Sequence, residues 1–156
     1  MYPGIPLLSD YQNLLRSPVF GEMEAFSNRF LDPNKRHLRR YSLTWVADPL
    51  HTWSRQWEYA YTYARIASFV ESSGVPLAVL DAGSGITFFP FFLSDRYSDM
   101  QVTCCDKDAK LEPVFKRIGA SCSKPPRFQN ANLVDLPFQD ASFDILYCIS
   151  VLEHLP

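Results

Sequence analysis

The pattern of apolar and polar positions changes character near Gly74. Upstream, apolar residues recur at three- and four-residue steps. Phe20, Met23, Phe26 and Phe30 predict a helix over about 20–31, opened by Ser17-Pro18 and interrupted by Asp32-Pro33-Asn34. Trp53, Trp57, Ala60, Ala64 and Ala67 predict a stripe along one long helix lying against a sheet, with Arg55, Tyr59, Tyr61 and Tyr63 partly off that stripe. Asp48-Pro49 is its expected start and Gly74 its expected stop. Residues 1 to about 20, broken by Pro3, Gly4, Pro6 and Pro18, read as an irregular lead.

Downstream, short apolar runs alternate with helix-like segments. Leu77-Ala78-Val79-Leu80 predicts a strand buried on both faces, and a helix is expected to begin near Thr87 or Phe88, with Pro90 in its first turn. Gln101–Cys105, ended by Asp106, predicts a second strand, and about 109–118, ended by Gly119, a second short helix. Arg127–Ala131 predicts a third strand. Ile145–Val151 predicts a fourth, apolar on both faces. Strand and helix in alternation imply right-handed crossovers and a parallel sheet. The expected fold is therefore α/β, with a helical N-terminal cap segment over 1–74 and a Rossmann-like ligand-binding region over 75–156.

The chemistry concentrates where the first strand ends. Asp81-Ala82-Gly83-Ser84-Gly85 joins that strand to a helix N-terminus, and two glycines allow a sharp turn with no Cβ in a ligand's way. A strand end, a glycine loop and a helix N-terminus together form a nucleotide site. A dinucleotide fingerprint needs a third glycine where Phe88 stands, and Asp81 would repel a pyrophosphate. A ligand with an ammonium group and no phosphate suits Asp81 better. Asp106 closes the second strand 23 positions after Gly83, the separation at which a strand-end carboxylate meets ribose hydroxyls.

The chain has 156 residues, 47% apolar and 15% aromatic, with a net charge of −2. This suits one domain with a modest core and argues against a broad polyanion-binding surface, so no nucleic-acid partner is expected. The one basic cluster, Lys35-Arg36 with Arg39-Arg40, reads as a solvated helix face, with docking of an acidic substrate or partner as the alternative. No apolar run approaches the length of a spanning helix, no basic n-region precedes an apolar core at the start, and neither membrane association nor a signal peptide is expected. Cys104, Cys105, Cys122 and Cys148 show no Cys-x-x-Cys spacing, and no metal-ligand cluster is present, so a reduced, cytoplasmic chain is the simplest account.

Asp81-x-Gly83-x-Gly85, Asp106, Leu136-Pro137-Phe138, Ser142-Phe143-Asp144 and Leu152-Glu153-His154 occur in this order. Together they resemble the class I S-adenosylmethionine-dependent methyltransferases, in particular the small-molecule branch typified by ubiquinone and menaquinone biosynthesis. The resemblance covers residues 77–156. It implies strands ordered 3-2-1-4-5-7-6 and S-adenosylmethionine at the carboxyl ends of strands 1, 2 and 4, with S-adenosylhomocysteine as product. It implies cofactor contacts from Asp81, Ala82, Gly83, Ser84 and Gly85, from Asp106 and Lys107, and from Asn132, Leu133 and Ser150. Glu153 and His154 are the implied orienting and catalytic groups, and a small molecule is the implied methyl acceptor. Where the family often has Asp-Ala after its third strand, this chain has Asn132-Leu133; the amide carbonyl can still accept a hydrogen bond. The family's strands 5, 6 and 7 have no counterpart before Pro156, so the sheet is expected to be truncated after strand 4. That apolar edge would favour self-association. A non-catalytic S-adenosylmethionine-binding or dimerising module is therefore the alternative to an active methyltransferase. A nicotinamide dinucleotide enzyme is disfavoured by Phe88.

Overall fold

The computed structural model describes residues 7–41, 50 and 53–155. Three helices come first: α1 (Leu8–Leu15), α2 (Pro18–Tyr41) and α3 (Trp53–Ser73). Strand β1 (Leu77–Ala82), helix α4 (Phe89–Arg96), β2 (Met100–Asp106), α5 (Leu111–Gly119), β3 (Arg127–Asn130) and β4 (Ile145–Tyr147) follow, and a 3₁₀ turn spans Leu152–His154. The sheet runs β3-β2-β1-β4 with every pairing parallel. This is the α/β Rossmann-like arrangement that the alternation of elements predicts.

The N-terminal part departs from expectation in two places. Residues 8–15 are helical, with the Asp10 carboxylate accepting the Leu7 N–H at 3.0 Å. Helix α2 does start where Ser17-Pro18 implies: Ser17 Oγ accepts the Phe20 N–H at 3.2 Å and donates to the Leu14 carbonyl at 2.7 Å. It then runs through Pro33 to Tyr41 instead of stopping at Asp32. Beside the missing proline N–H, the Asn34 side-chain amide donates to the Phe30 carbonyl at 2.8 Å. Phe30, Leu31 and Leu38 are buried on both sides of the proline, so packing outweighs its local cost. The expected helix start at Asp48-Pro49 lies outside the described residues.

On α3 the buried face is Tyr59, Ala60, Tyr63 and Ile66, whereas Trp57, Ala64 and Ala67 are only half-buried. The stripe is thus rotated toward the tyrosines. Their rings meet α4: Tyr59 lies 5.1 Å from both Phe88 and Phe89, and Tyr63 lies 5.5 Å from Phe92. Gly74, at φ 63°, ends the helix as expected.

Alternation along the strands divides the molecule into two layers. Leu77 and Val79 of β1, with Met100, Val102 and Cys104 of β2, face a core to which α1, α2, α3, α4 and α5 contribute. Leu80, Ala82 and Cys105 face the other way, under Leu133, Leu136, Phe138 and Phe143 of the segment before β4. Asp144 fastens that segment: its carboxylate accepts the Ala78 N–H at 2.8 Å, and its own N–H donates to the Ala78 carbonyl at 2.9 Å. The fourth strand is shorter and less buried than its run of apolar residues suggests. It ends at Tyr147, Leu146 is 57% exposed, and residues 148–150 are half-buried. Its apolar residues continue into the wall of a cleft, which is why the run is longer than the strand.

Candidate functional site

The cleft opens at the carboxyl ends of β1, β2 and β4, with a cavity of about 450 Å³. That volume suits a nucleoside-sized ligand. The glycine loop forms its floor. The Gly83 and Ser84 N–H groups both donate to the Cys105 carbonyl, at 2.8 and 3.0 Å, and Ser84 Oγ donates to the Gly85 carbonyl at 3.1 Å. Gly83 and Gly85 both take left-handed backbone, φ 74° and 51°, for different reasons. A Cβ on Gly83 would stand 2.6 Å from Val151 Cγ1, so this glycine allows the loop to pack on the chain after β4. A Cβ on Gly85 would meet nothing within 4 Å. Gly85 itself lines the cavity.

Asp106 fixes the loop to the end of β2. One carboxylate oxygen accepts the Gly85 N–H at 3.0 Å and the other accepts the Asp108 N–H at 2.9 Å. An ionised carboxylate offers about four lone-pair directions, so acceptor capacity remains for a ligand.

Asp81 lies deeper, on the helix-facing side of β1, and is 5% exposed. No hydrogen bond to its carboxylate is formed among the described residues, and no cationic side chain accompanies it. The Tyr147 hydroxyl is near enough to draw its pKa down a little, but is not in hydrogen-bond geometry. Burial dominates, the Asp106 carboxylate adds to it, and together they push Asp81 up to about 7. Between about pH 4 and 7 the folded protein holds a proton here that the unfolded chain has released. Stability from this group therefore falls as pH rises through that window. Asp81→Asn should stabilise the ligand-free protein, with no gain at pH 3 and the largest, on the order of 4 kcal/mol, at pH 8. Thermal unfolding across that range checks it, and a pH-independent difference would contradict the assignment.

Of the residues singled out in the sequence, Asp81, Gly83, Ser84, Gly85, Asp106, Lys107, Asn132, Leu133, Ser150 and His154 line the cavity together. Ala82 and Glu153 do not: Ala82 is buried on the opposite face of β1, and Glu153 is exposed on the 3₁₀ turn. Asn132 Oδ1 already accepts the Val134 N–H at 3.3 Å, which leaves this oxygen one further lone pair. His154 is exposed at the mouth. Sequence reasoning did not single out Arg55 and Tyr59 of α3, Ile86 and Thr87 of the loop, Asp108, or Tyr147, Ile149, Val151 and Leu155, which complete the lining. For Arg55 and Tyr59 the signal was their place partly off the apolar stripe of the long helix. Among the described residues, no group of three or more His, Cys, Asp or Glu side chains is placed to hold a metal ion, and no helix is long and apolar enough to cross a membrane.

Fold and site define a Rossmann-like domain with a ligand cleft at the strand ends, floored by a glycine loop and two carboxylates. Residues 80–156 match a family model described as a methyltransferase domain. The matched span begins in β1 and contains the glycine loop, Asp106 and the whole of β4. It supports a class I S-adenosylmethionine-dependent methyltransferase. No curated protein matches the chain.

Proposed function

We propose that this protein binds S-adenosylmethionine in the cleft and transfers its methyl group to a small, apolar or aromatic acceptor, as in the ubiquinone and menaquinone branch of the family. The observation that carries the reading is the paired use of acid and glycine. Asp81 is a buried carboxylate with no basic side chain, among the described residues, contributing to its pKa shift, and Gly85 presents bare backbone to the cavity beside Asp106.

The residues fit the cofactor. Asp81 receives its ammonium group, Asp106 the ribose hydroxyls, Asn132 the adenine amino group and Leu133 an adenine face, with Lys107 and Ser150 at the border. When bound, S-adenosylmethionine supplies an electrophilic methyl group on a sulfonium. The chain's own task is to hold donor and acceptor in line and to exclude water, a contribution of proximity and orientation. Ile149, Val151 and Leu155 give the acceptor side an apolar wall. His154, at the mouth, takes a proton from the acceptor where the nucleophile must lose one. Four free cysteines, two of them buried, suit the reducing cytoplasm.

Calorimetric titration with S-adenosylhomocysteine and, separately, with NADH tests the reading. Saturable one-to-one binding of the former and none of the latter is expected. Binding of NADH alone would transfer the site to the dinucleotide class.

A further inference from the structure

Glu58 of α3 lies between two groups of the cleft that are far apart in sequence. It forms an ion pair with Arg55 one turn earlier, and its carboxylate oxygens accept the Ser150 hydroxyl at 3.1 and 3.2 Å across 92 positions of chain. The Arg55 and Glu58 side chains are 13% and 31% exposed, so neither partner is fully screened by water.

What Glu58 holds is an unusual piece of backbone. The ladder between β1 and β4 ends at Tyr147 opposite Asp81. Three residues on, Ser150 takes φ 51°, a left-handed conformation that costs a non-glycine residue about 1 kcal/mol or more. Such a conformation persists only when its surroundings determine it. Val151, next in the chain, is the residue whose methyl groups fill the space over Gly83. Tyr147, Ile149, Ser150 and Val151 all line the cleft. A bond from Glu58 to Ser150 therefore fixes the turn that sets one wall of the site against the glycine loop.

We infer that Glu58 is a positioning residue that latches helix α3 to the end of β4 through the Ser150 hydroxyl, and so holds the cleft in its ligand-ready shape. This rests on the reading of the cleft as an S-adenosylmethionine site, and it deepens that reading by making the N-terminal helix part of the binding apparatus. Glu58 itself is not among the residues that line the cleft.

Affinity for S-adenosylhomocysteine, measured by calorimetry, and hydrogen exchange of the ligand-free protein test this together. Glu58→Ala should bind about tenfold more weakly, the scale of one lost charge-assisted hydrogen bond. Glu58→Gln, which keeps an oxygen to accept the Ser150 hydroxyl, should recover to within about threefold of the parent. Ser150→Ala, at the border of the cleft, should lose at least as much as Glu58→Ala, and the double variant should lose no more than Ser150→Ala alone, because both remove the same bond. A purely structural contribution of two separate residues would add instead. In the ligand-free Glu58→Ala protein, amides from Ile149 to Leu155 should exchange faster, while those of β2 stay unchanged. Parent-like affinity in Glu58→Ala, additive losses, or unaltered exchange around Ser150 would each overturn the latch. If the parent itself binds no S-adenosylhomocysteine, the cofactor reading fails. Exchange alone then decides the latch: faster exchange around Ser150 supports it and unaltered exchange overturns it.

Discussion

Asp106→Ala should weaken S-adenosylhomocysteine binding at least tenfold. On the proposed reading the carboxylate has two tasks, and the substitution removes both. It anchors the glycine loop and the start of the next turn by accepting the Gly85 and Asp108 N–H groups at 3.0 and 2.9 Å. It also offers its remaining lone pairs to the cleft, where a ribose would place two hydroxyls. Hydrogen bonds to a charged group are worth roughly 1.5–3 kcal/mol each, and losses at one carboxylate are not additive. The loop effect is visible without ligand: two part-buried N–H groups lose their acceptor, so the unfolding midpoint of the free protein should fall as well. Asp106→Asn separates the two tasks. One oxygen still accepts an N–H, but the amide nitrogen faces a second donor, so the loop is only half anchored and affinity should fall between parent and alanine. Calorimetry on variants whose circular dichroism matches the parent measures the effect. Unchanged affinity in a folded Asp106→Ala protein would remove the ribose assignment and leave Asp106 as a loop anchor alone.

Asp106 also illustrates what was legible in the sequence. Its position at a strand end, in register with Gly83-Ser84-Gly85, follows from local pattern, and the structure joins the two through one hydrogen bond. The parallel pairing follows similarly from strand–helix alternation, whereas the order β3-β2-β1-β4 matches what the family resemblance implies. What was not legible depends on contacts between distant segments. Tyr59 and Tyr63 carry polar tips and looked peripheral to an alanine–tryptophan stripe. Phenylalanines of α4 turn the helix so that the tyrosines are buried. Pro33 looked like a helix end because local geometry opposes continuation. Buried Leu31 and Leu38 on either side decide otherwise. Residues 148–151 looked like strand because they are apolar. Ile149 and Val151 instead line a cleft, and Ser150 leaves extended geometry there with its hydroxyl on Glu58, a partner 92 positions away that no local rule indicates.

The two loop glycines should fail in opposite ways when substituted. Both have positive φ, so alanine at either pays a similar backbone cost of about 1–2 kcal/mol. The surroundings then separate them. At Gly83 the new Cβ would stand 2.6 and 2.9 Å from the two methyl carbons of Val151, distances that no real Cβ tolerates, so the wall after β4 must move. Overpacking of this kind adds roughly 1–3 kcal/mol. Gly83→Ala should therefore show the larger fall in unfolding midpoint, and Gly83→Ala combined with Val151→Ala should recover part of it. At Gly85 a Cβ meets nothing within 4 Å, so Gly85→Ala should lose only the backbone term. That empty space is the cavity itself. A larger side chain there, as in Gly85→Val, should occupy the ligand's place and abolish S-adenosylhomocysteine binding. Thermal unfolding and calorimetry on the same samples give both readouts. If Gly85→Val remains folded and titrates like the parent, the open side of the glycine loop does not face the ligand, and the cleft must be read from its other wall.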